Sequence, residues 1–158
     1  LKHYHFTFLL PMSIASFHQA TRQRTWDQNV QPVRNAVISG QYVIPPKIKG
    51  TCFEKNYKNL TERTIDFVRE NIENPDAIGM LPHAISVYDL IHVNGWNAIH
   101  SIGKRTCEKA QWEIRKIAKQ MAYLINRATP ELGKYSVPQG ILYGKCPERE
   151  PCGKCFKK

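Results

Sequence analysis

Gln19, Arg22, Gln23 and Arg24 fall within six residues, and Arg34 comes after a proline-containing loop. Guanidinium groups suit phosphate and nucleobase oxygens, because the planar fork donates in pairs and never loses its charge. Gln19 and Arg22 are three apart, so on a helix they share a face and can grip one ligand. Composition alone reads the same residues as a basic surface patch. A second cluster, Asn94, Asn97, His100 and Arg105, lies near the start of an expected long helix. Helix N-termini attract anions through unpaired N–H groups and the macrodipole. His100 by itself reads as a hydrogen-bonded structural histidine. No Ser/His/Asp or Cys/His arrangement stands in persuasive context, and no Gly-rich phosphate loop is present. The residues alone indicate an anion-binding α/β domain, with nucleotides among its candidate ligands.

Cysteine chemistry is the third possibility. Cys146, Cys152 and Cys155 crowd the end of the chain, with Cys152 and Cys155 in a C-x-x-C. A tetrahedral zinc site needs a fourth ligand, and Cys52 or Cys107 would have to come from elsewhere. Exposed tail thiols are the simpler expectation, and no metal is expected. Five cysteines is an odd number, which argues against a stapled secreted scaffold and for a reducing, cytoplasmic setting.

The elements that position these groups come from 158 residues, a length expected to form one domain. Hydrophobic residues at 42% and charged residues at 23% exclude wholesale disorder. Apolar stretches are interrupted within a few residues, so no membrane span is expected. Leu1 is not a start methionine and no leader pattern is present after it, so an N-terminal part is expected to be missing. The formal charge of +10 attracts something anionic, although residues 145–158 alone carry five basic and two acidic groups. A nucleic-acid partner ranks last, because the regular interleaving of aromatic and basic residues found on stacking platforms is missing.

Alternation from His3 to Leu9 predicts a strand ended by Pro11, and Ser13 stands where a helix N-cap belongs. Residues 25–49 contain Pro32, Gly40, Pro45 and Pro46 and read as loop with a short strand near Tyr42–Ile44. A helix is expected over Thr61–Ile72, stopped by Pro75. Val87, Asp89, Ile91 and Val93 alternate as a strand, and Asn94 is the expected cap of the next helix. The longest helix is read from Cys107, Ala110, Ile114, Ile117, Met121, Leu124 and Ala128, closed by Pro130 and Gly133. Lys109, Lys116 and Lys119 fall off that stripe. The expected class is α/β (α+β), a mixed or antiparallel sheet packed by a long helix.

The segment Arg105-Thr-Cys-Glu-Lys-Ala-Gln-Trp-Glu-Ile114-Arg115 resembles the R-x4-A-Q-W-E-I-R of the flavin-dependent thymidylate synthases (ThyX). Gln19-x-x-Arg22-Gln23-Arg24-Thr25 resembles that family's Q-x-x-R-H-R-T. Asn29, Arg34, Ile44-Pro45-Pro46, Leu81-Pro82 and the tail Gly144-Lys-Cys-Pro-Glu148 extend the likeness over nearly the whole chain. The resemblance implies a ThyX-like domain over 1–144, then a basic cysteine-containing tail over 145–158. It implies methylation of dUMP to dTMP, with the methylene from methylenetetrahydrofolate and the hydride from FAD reduced by NADPH. It further implies a homotetramer with shared active sites. By the same resemblance, Gln19, Arg22, Gln31, Arg34 and Arg105 would contact the nucleotide, and Arg22, Gln23, Arg24, Asn94 and His100 the flavin. Arg105 would polarise the uracil. Gln23 replaces the histidine of R-H-R, His100 an asparagine, and Trp96 and Ile78 arginines; Val30 and Pro32 replace a glutamate and a serine. Those departures keep open a second reading, a catalytically altered paralogue that binds nucleotide or partners an intact subunit. Family residues N-terminal to Leu1, which bear on flavin binding, lie outside this sequence.

Overall fold

Strand β3 (Ser86–Asn94) alternates as its sequence predicts, with Val87, Asp89, Ile91 and Val93 all buried. The computed structural model describes residues 1–155, and the last residues of the basic tail, 156–158, lie outside the described residues. The sheet is antiparallel and ordered β1-β3-β2, with β1 (His5–Ser13) and β2 (Asp27–Val30) as its edges. Phe8, Leu10 and Met12 supply the buried side of β1. The strand does not end at Pro11 but runs through it to Ser13. An edge strand has unpaired N–H positions, so a residue lacking that donor costs nothing there. Ser13 caps α1 (Ile14–Ala20) as expected, its Oγ accepting from Ser16 N at 3.1 Å.

The chain divides into two units. The first comprises Leu1–Leu10, Gln19–Asn29 and the chain from Leu90 onward; the second comprises Pro11–His18 and Val30–Asp89. In the first, Asn94 caps α5 (Gly95–Arg105), its Oδ1 accepting from Asn97 N at 2.9 Å. The expected single helix from Cys107 is not one piece. A turn over residues 106–111 separates α5 from α6 (Trp112–Ala128), and Gln111 caps α6 by accepting from Glu113 N at 2.8 Å and Ile114 N at 2.9 Å. A side-chain cap at this point ends the run of apolar spacing that Cys107 and Ala110 only mimic. The buried stripe is Ile114, Ile117, Ala118, Met121 and Ile125, whereas Leu124 is 48% exposed and Ala128 is exposed. Lys109, Lys116 and Lys119 are exposed as expected. Helix α6 packs against α5 and against α7 (Pro130–Gly133), and α5 against α8 (Gln139–Leu142).

In the second unit, the stretch read as loop contains the end of β2 and a helix, α2 (Val33–Ser39). The strand is invisible in sequence because Asp27-Gln28-Asn29 carries no apolar alternation. The helix is bracketed by Pro32 before it and by Gly40, whose φ of 66° closes it in the left-handed region. In place of the expected strand near Tyr42–Ile44, a single antiparallel bridge joins Tyr42 to Ile85. Helix α3 (Glu54–Glu70) starts earlier than expected and stops before Ile72, with Thr61, Ile65 and Val68 buried. Pro75 does not stop it; Pro75 opens the next helix, α4 (Pro75–Gly79), capped by Asn74. Among the described residues no helix is long and apolar enough to cross a membrane.

Replacing Ile114 with Ala is expected to cost roughly 2–5 kcal/mol in urea unfolding, as deletion of a buried aliphatic group does. Leu124→Ala is expected to stay within about 0.5 kcal/mol. Equal losses would restore the stripe read from sequence.

Asp89 is fully buried, and neither carboxylate oxygen has a partner among the described residues. Burial holds its carboxyl above the ordinary value of 3.8. As pH rises through 3.8, the unfolded chain releases this proton while the folded chain keeps it. The folded state therefore loses stability until pH passes the raised folded value. Asp89→Asn is expected to raise the urea midpoint at neutral pH, with the gain shrinking as the unfolded value is approached. An unchanged midpoint at both ends would refute this.

Candidate functional site

Helix α5 ends on Lys104 and Arg105, cations in the last turn where the macrodipole favours them. Arg105 is thus at a helix C-terminus, not near the start of a long helix as the spacing suggested. Its Nη2 donates to the Gln19 carbonyl at 3.0 Å. With the Gln23 amide turned to satisfy both groups, the Gln23 side-chain oxygen accepts from Nη2 at 2.9 Å and Nε at 2.8 Å. Three of the five donors are thereby fixed, and no protein group among the described residues takes Nη1. Burial first, and then the Arg22 cation, lower the Arg105 pKa from its ordinary value. The group stays charged, since a guanidinium does not deprotonate in a protein.

Helix α1 ends at Ala20, so Gln19 and Arg22 do not share a helical face. A turn carries Arg22 to Arg24, with Gln23 N donating to Ala20 O at 2.8 Å and Trp26 N to Gln23 O at 3.0 Å. Buried Trp26 anchors that turn by donating from Nε1 to Ser101 Oγ at 3.0 Å. Ser101 Oγ lies 2.8 Å from Asn97 O and 3.0 Å from Ala98 O. The turn and α5 are therefore held together by a buried, satisfied hydrogen-bond chain.

Between them lies a hollow of about 500 Å³ bounded by Arg22, Arg24, Lys104, Arg105, Lys109 and His100, with Glu148 as its acidic member. A second hollow, about 490 Å³, is walled by Trp96, Ile99, Tyr135, Leu142 and Tyr143 and shares His100 with the first. Burial, reinforced by the Lys104 charge, lowers the His100 pKa from 6.5, favouring its neutral form. A cationic hollow beside an aromatic one suits a ligand with both phosphate and a flat ring.

Arg22, Gln23, Arg24, His100 and Arg105 thus come together, as Gln19 does through its backbone. Asn94 spends its Oδ1 on the helix cap. Gln31 and Arg34 belong to the other unit. Gln31 N donates to Tyr88 O at 2.8 Å and its Oε1 accepts from Tyr88 N at 3.2 Å. Arg34 is forked onto Glu73, with Nη1–Oε1 2.6 Å and Nη2–Oε2 3.1 Å, and that hydrogen bond raises its pKa. Sequence reading missed Lys104, Trp26, Tyr135 and Tyr143. An indole in a polar loop was the available signal for Trp26; the tyrosines stand in short Gly/Pro-bounded segments that carry no periodicity.

The family model described as thymidylate synthase complementing protein (Thy1) matches residues 1–131. The chain is 32% identical over 164 residues to the flavin-dependent thymidylate synthase of Geobacter sulfurreducens, covering 98% of this chain and 70% of that protein. To the flavin-dependent thymidylate synthase of Pyrococcus abyssi it is 34% identical over 180 residues, covering 100% of this chain and 71% of that protein. The fold is similar to the crystal structure of Helicobacter pylori ThyX complexed with FAD and dUMP, with a TM-score of 0.71 at 15% identity. That match covers 87% of this chain and 75% of the other. With its sequence match running through both arms of the Arg105 clamp, the chain belongs to the flavin-dependent thymidylate synthase (Thy1) family.

Proposed function

We propose that this chain catalyses the reductive methylation of dUMP to dTMP. Methylenetetrahydrofolate gives up its methylene and becomes tetrahydrofolate, and NADPH supplies the reducing equivalents through FAD. The observation that carries the reading is the clamped Arg105, with Nη1 unclaimed, at the edge of a cationic hollow that meets an aromatic one. Arg22, Arg24 and Lys104 would hold the phosphates, and Trp96, Tyr135 and Tyr143 would offer faces to a flat ring. Bound there, the reduced flavin would supply hydride. Arg105 would donate to a uracil oxygen and stabilise the ionised base in a partly dry setting, where a fixed cation acts strongly. Gln23 and Gln19 O hold that cation in place before the substrate arrives, so no reorganisation is required during reaction. Neutral His100 can orient a ligand without adding charge to the crowded cations.

The test is tritium release from 5-tritiated dUMP with methylenetetrahydrofolate, NADPH and FAD, run beside thermal melts. Arg105→Ala is expected to lose about 10²-fold in turnover, with a modest fall in Tm from the three hydrogen bonds it gives up. Arg105→Lys should restore only part, keeping the charge and losing the fork. Gln23→Ala, which frees the guanidinium to wander, is expected to cost about tenfold. Full activity in Arg105→Ala would remove its role, and an inert, colourless parent that ignores added FAD would overturn the reading.

The same reading carries a homotetramer with shared active sites. Phe53, at the cap of α3, and Leu60 and Phe67 within it are 67%, 69% and 45% exposed and fall seven residues apart, which puts exposed apolar groups on one side of that helix. Sedimentation of the parent is expected to show an assembly, and Leu60→Asp to weaken it. A stable 18.2 kDa monomer at micromolar concentration would contradict this.

A further inference from the structure

The fold supplies what the tail lacks in sequence, a fourth thiol. Cys107 stands in the turn after α5, and with Cys146 and Cys155 it lines a cavity of about 10 Å³. That space admits about one water-sized sphere, and a bare divalent ion is smaller than a water. The approach depends on Gly140, where a Cβ would lie 2.8 Å from Cys155 Sγ, 3.1 Å from Cys155 Cβ and 3.6 Å from Cys146 Cα. Cys152 does not line the cavity but precedes Cys155 by three residues, and between them Gly153, with a φ of 68°, bends the backbone in the left-handed region. Cys52 is exposed and belongs to the other unit.

We propose that Cys107, Cys146, Cys152 and Cys155 bind one zinc ion as a tetrahedral tetrathiolate site. Four thiolates select a soft or borderline cation over magnesium or calcium. A zinc tetrathiolate carries two net negative charges, and Lys104 borders the cavity with a compensating cation. Burial, and then the neighbouring Cys146, Cys152 and Cys107, hold the Cys155 thiol above its ordinary value. Metal binding to these thiols releases protons. Among the described residues no group of three or more His, Cys, Asp or Glu side chains already stands arranged to hold a metal. Binding draws the sulfurs together, as in metal sites whose local folding the ion completes. Because Cys107 is two residues beyond Arg105, the ion would tie the tail to the turn beside the cationic hollow.

The experiment uses the full chain, reduced, with zinc and then cobalt(II). Expected are one tightly held zinc per chain and the visible bands of tetrahedral thiolate cobalt. Zinc should also protect Cys107, Cys146, Cys152 and Cys155, but not Cys52, from alkylation mapped by mass spectrometry. Cys107→Ser and Cys152→Ser are expected to lower zinc affinity by about tenfold or more, and Cys52→Ser to leave it unchanged. Zinc that shields no cysteine, or full affinity in Cys107→Ser, would overturn the site, as would these cysteines being paired as disulfides in the native chain. Where a serine variant fails to fold, the alkylation map of the unmodified chain decides.

Discussion

A guanidinium partly withdrawn from water has to be satisfied by the protein and still keep donors free for a ligand. Arg105 meets both demands because the Gln19 carbonyl and the Gln23 side chain take three N–H groups from one side of its fork. Losing either partner would leave a desolvated cation short of acceptors, which is the expensive direction of the hydrogen-bond balance. The geometry of the arginine turn derives from this clamp. Residues 22–24 have to approach the end of α5, and Trp26 secures that approach through Ser101. The substitution of glutamine for histidine at position 23 is intelligible here. An amide oxygen accepts two donors from one guanidinium at any pH, whereas an imidazole in the same place would have to be neutral and offers one acceptor.

The clamp was legible in part. Spacing alone left Arg105 in a different cluster from Gln19, Arg22, Gln23 and Arg24; the family resemblance joined them, and the structure groups their backbones and side chains around one hollow. The mode of approach was not legible. A shared helical face was expected for Gln19 and Arg22, but α1 stops at Ala20, before the arginines begin. Local periodicity cannot reveal a contact between residues 86 positions apart. The fold was read well where burial imposes alternation, as in β3, and where a side chain caps a helix, as at Ser13 and Asn94. It was misread where a polar edge strand carries no pattern, as in β2, or where an edge tolerates proline, as at Pro11. The break between α5 and α6 shows a further limit. Apolar spacing through Cys107 and Ala110 looked continuous, yet the Gln111 side chain capped a new helix and left those two residues in a turn.

That break has a consequence for the site. A continuous helix would have left no turn at residues 106–111. Ending α5 at Arg105 instead places a cation at the negative end of the helix and leaves Cys107, Lys109 and Ala110 to border the hollow. The same turn receives Glu108, whose carboxylate accepts from Arg115 Nη1 at 2.8 Å and Lys119 Nζ at 3.4 Å. Those partly exposed pairs are individually weak. Together they draw cations of α6 onto Glu108, so this carboxylate neutralises Arg115 and Lys119 instead of the arginines facing the hollow.

His100 borders both the cationic and the aromatic hollow, and under the proposed reading its protonation is coupled to the anion that enters the first. Burial, reinforced by Lys104, disfavours its cation, so the folded pKa lies below the ordinary 6.5. An anion arriving among Arg22, Arg24 and Lys104 offsets the Lys104 field and favours the protonated ring, which raises that pKa. By reciprocity, protonation of His100 tightens anion binding. Acidification from neutral pH toward the depressed pKa should therefore increase affinity for the phosphate end of a ligand.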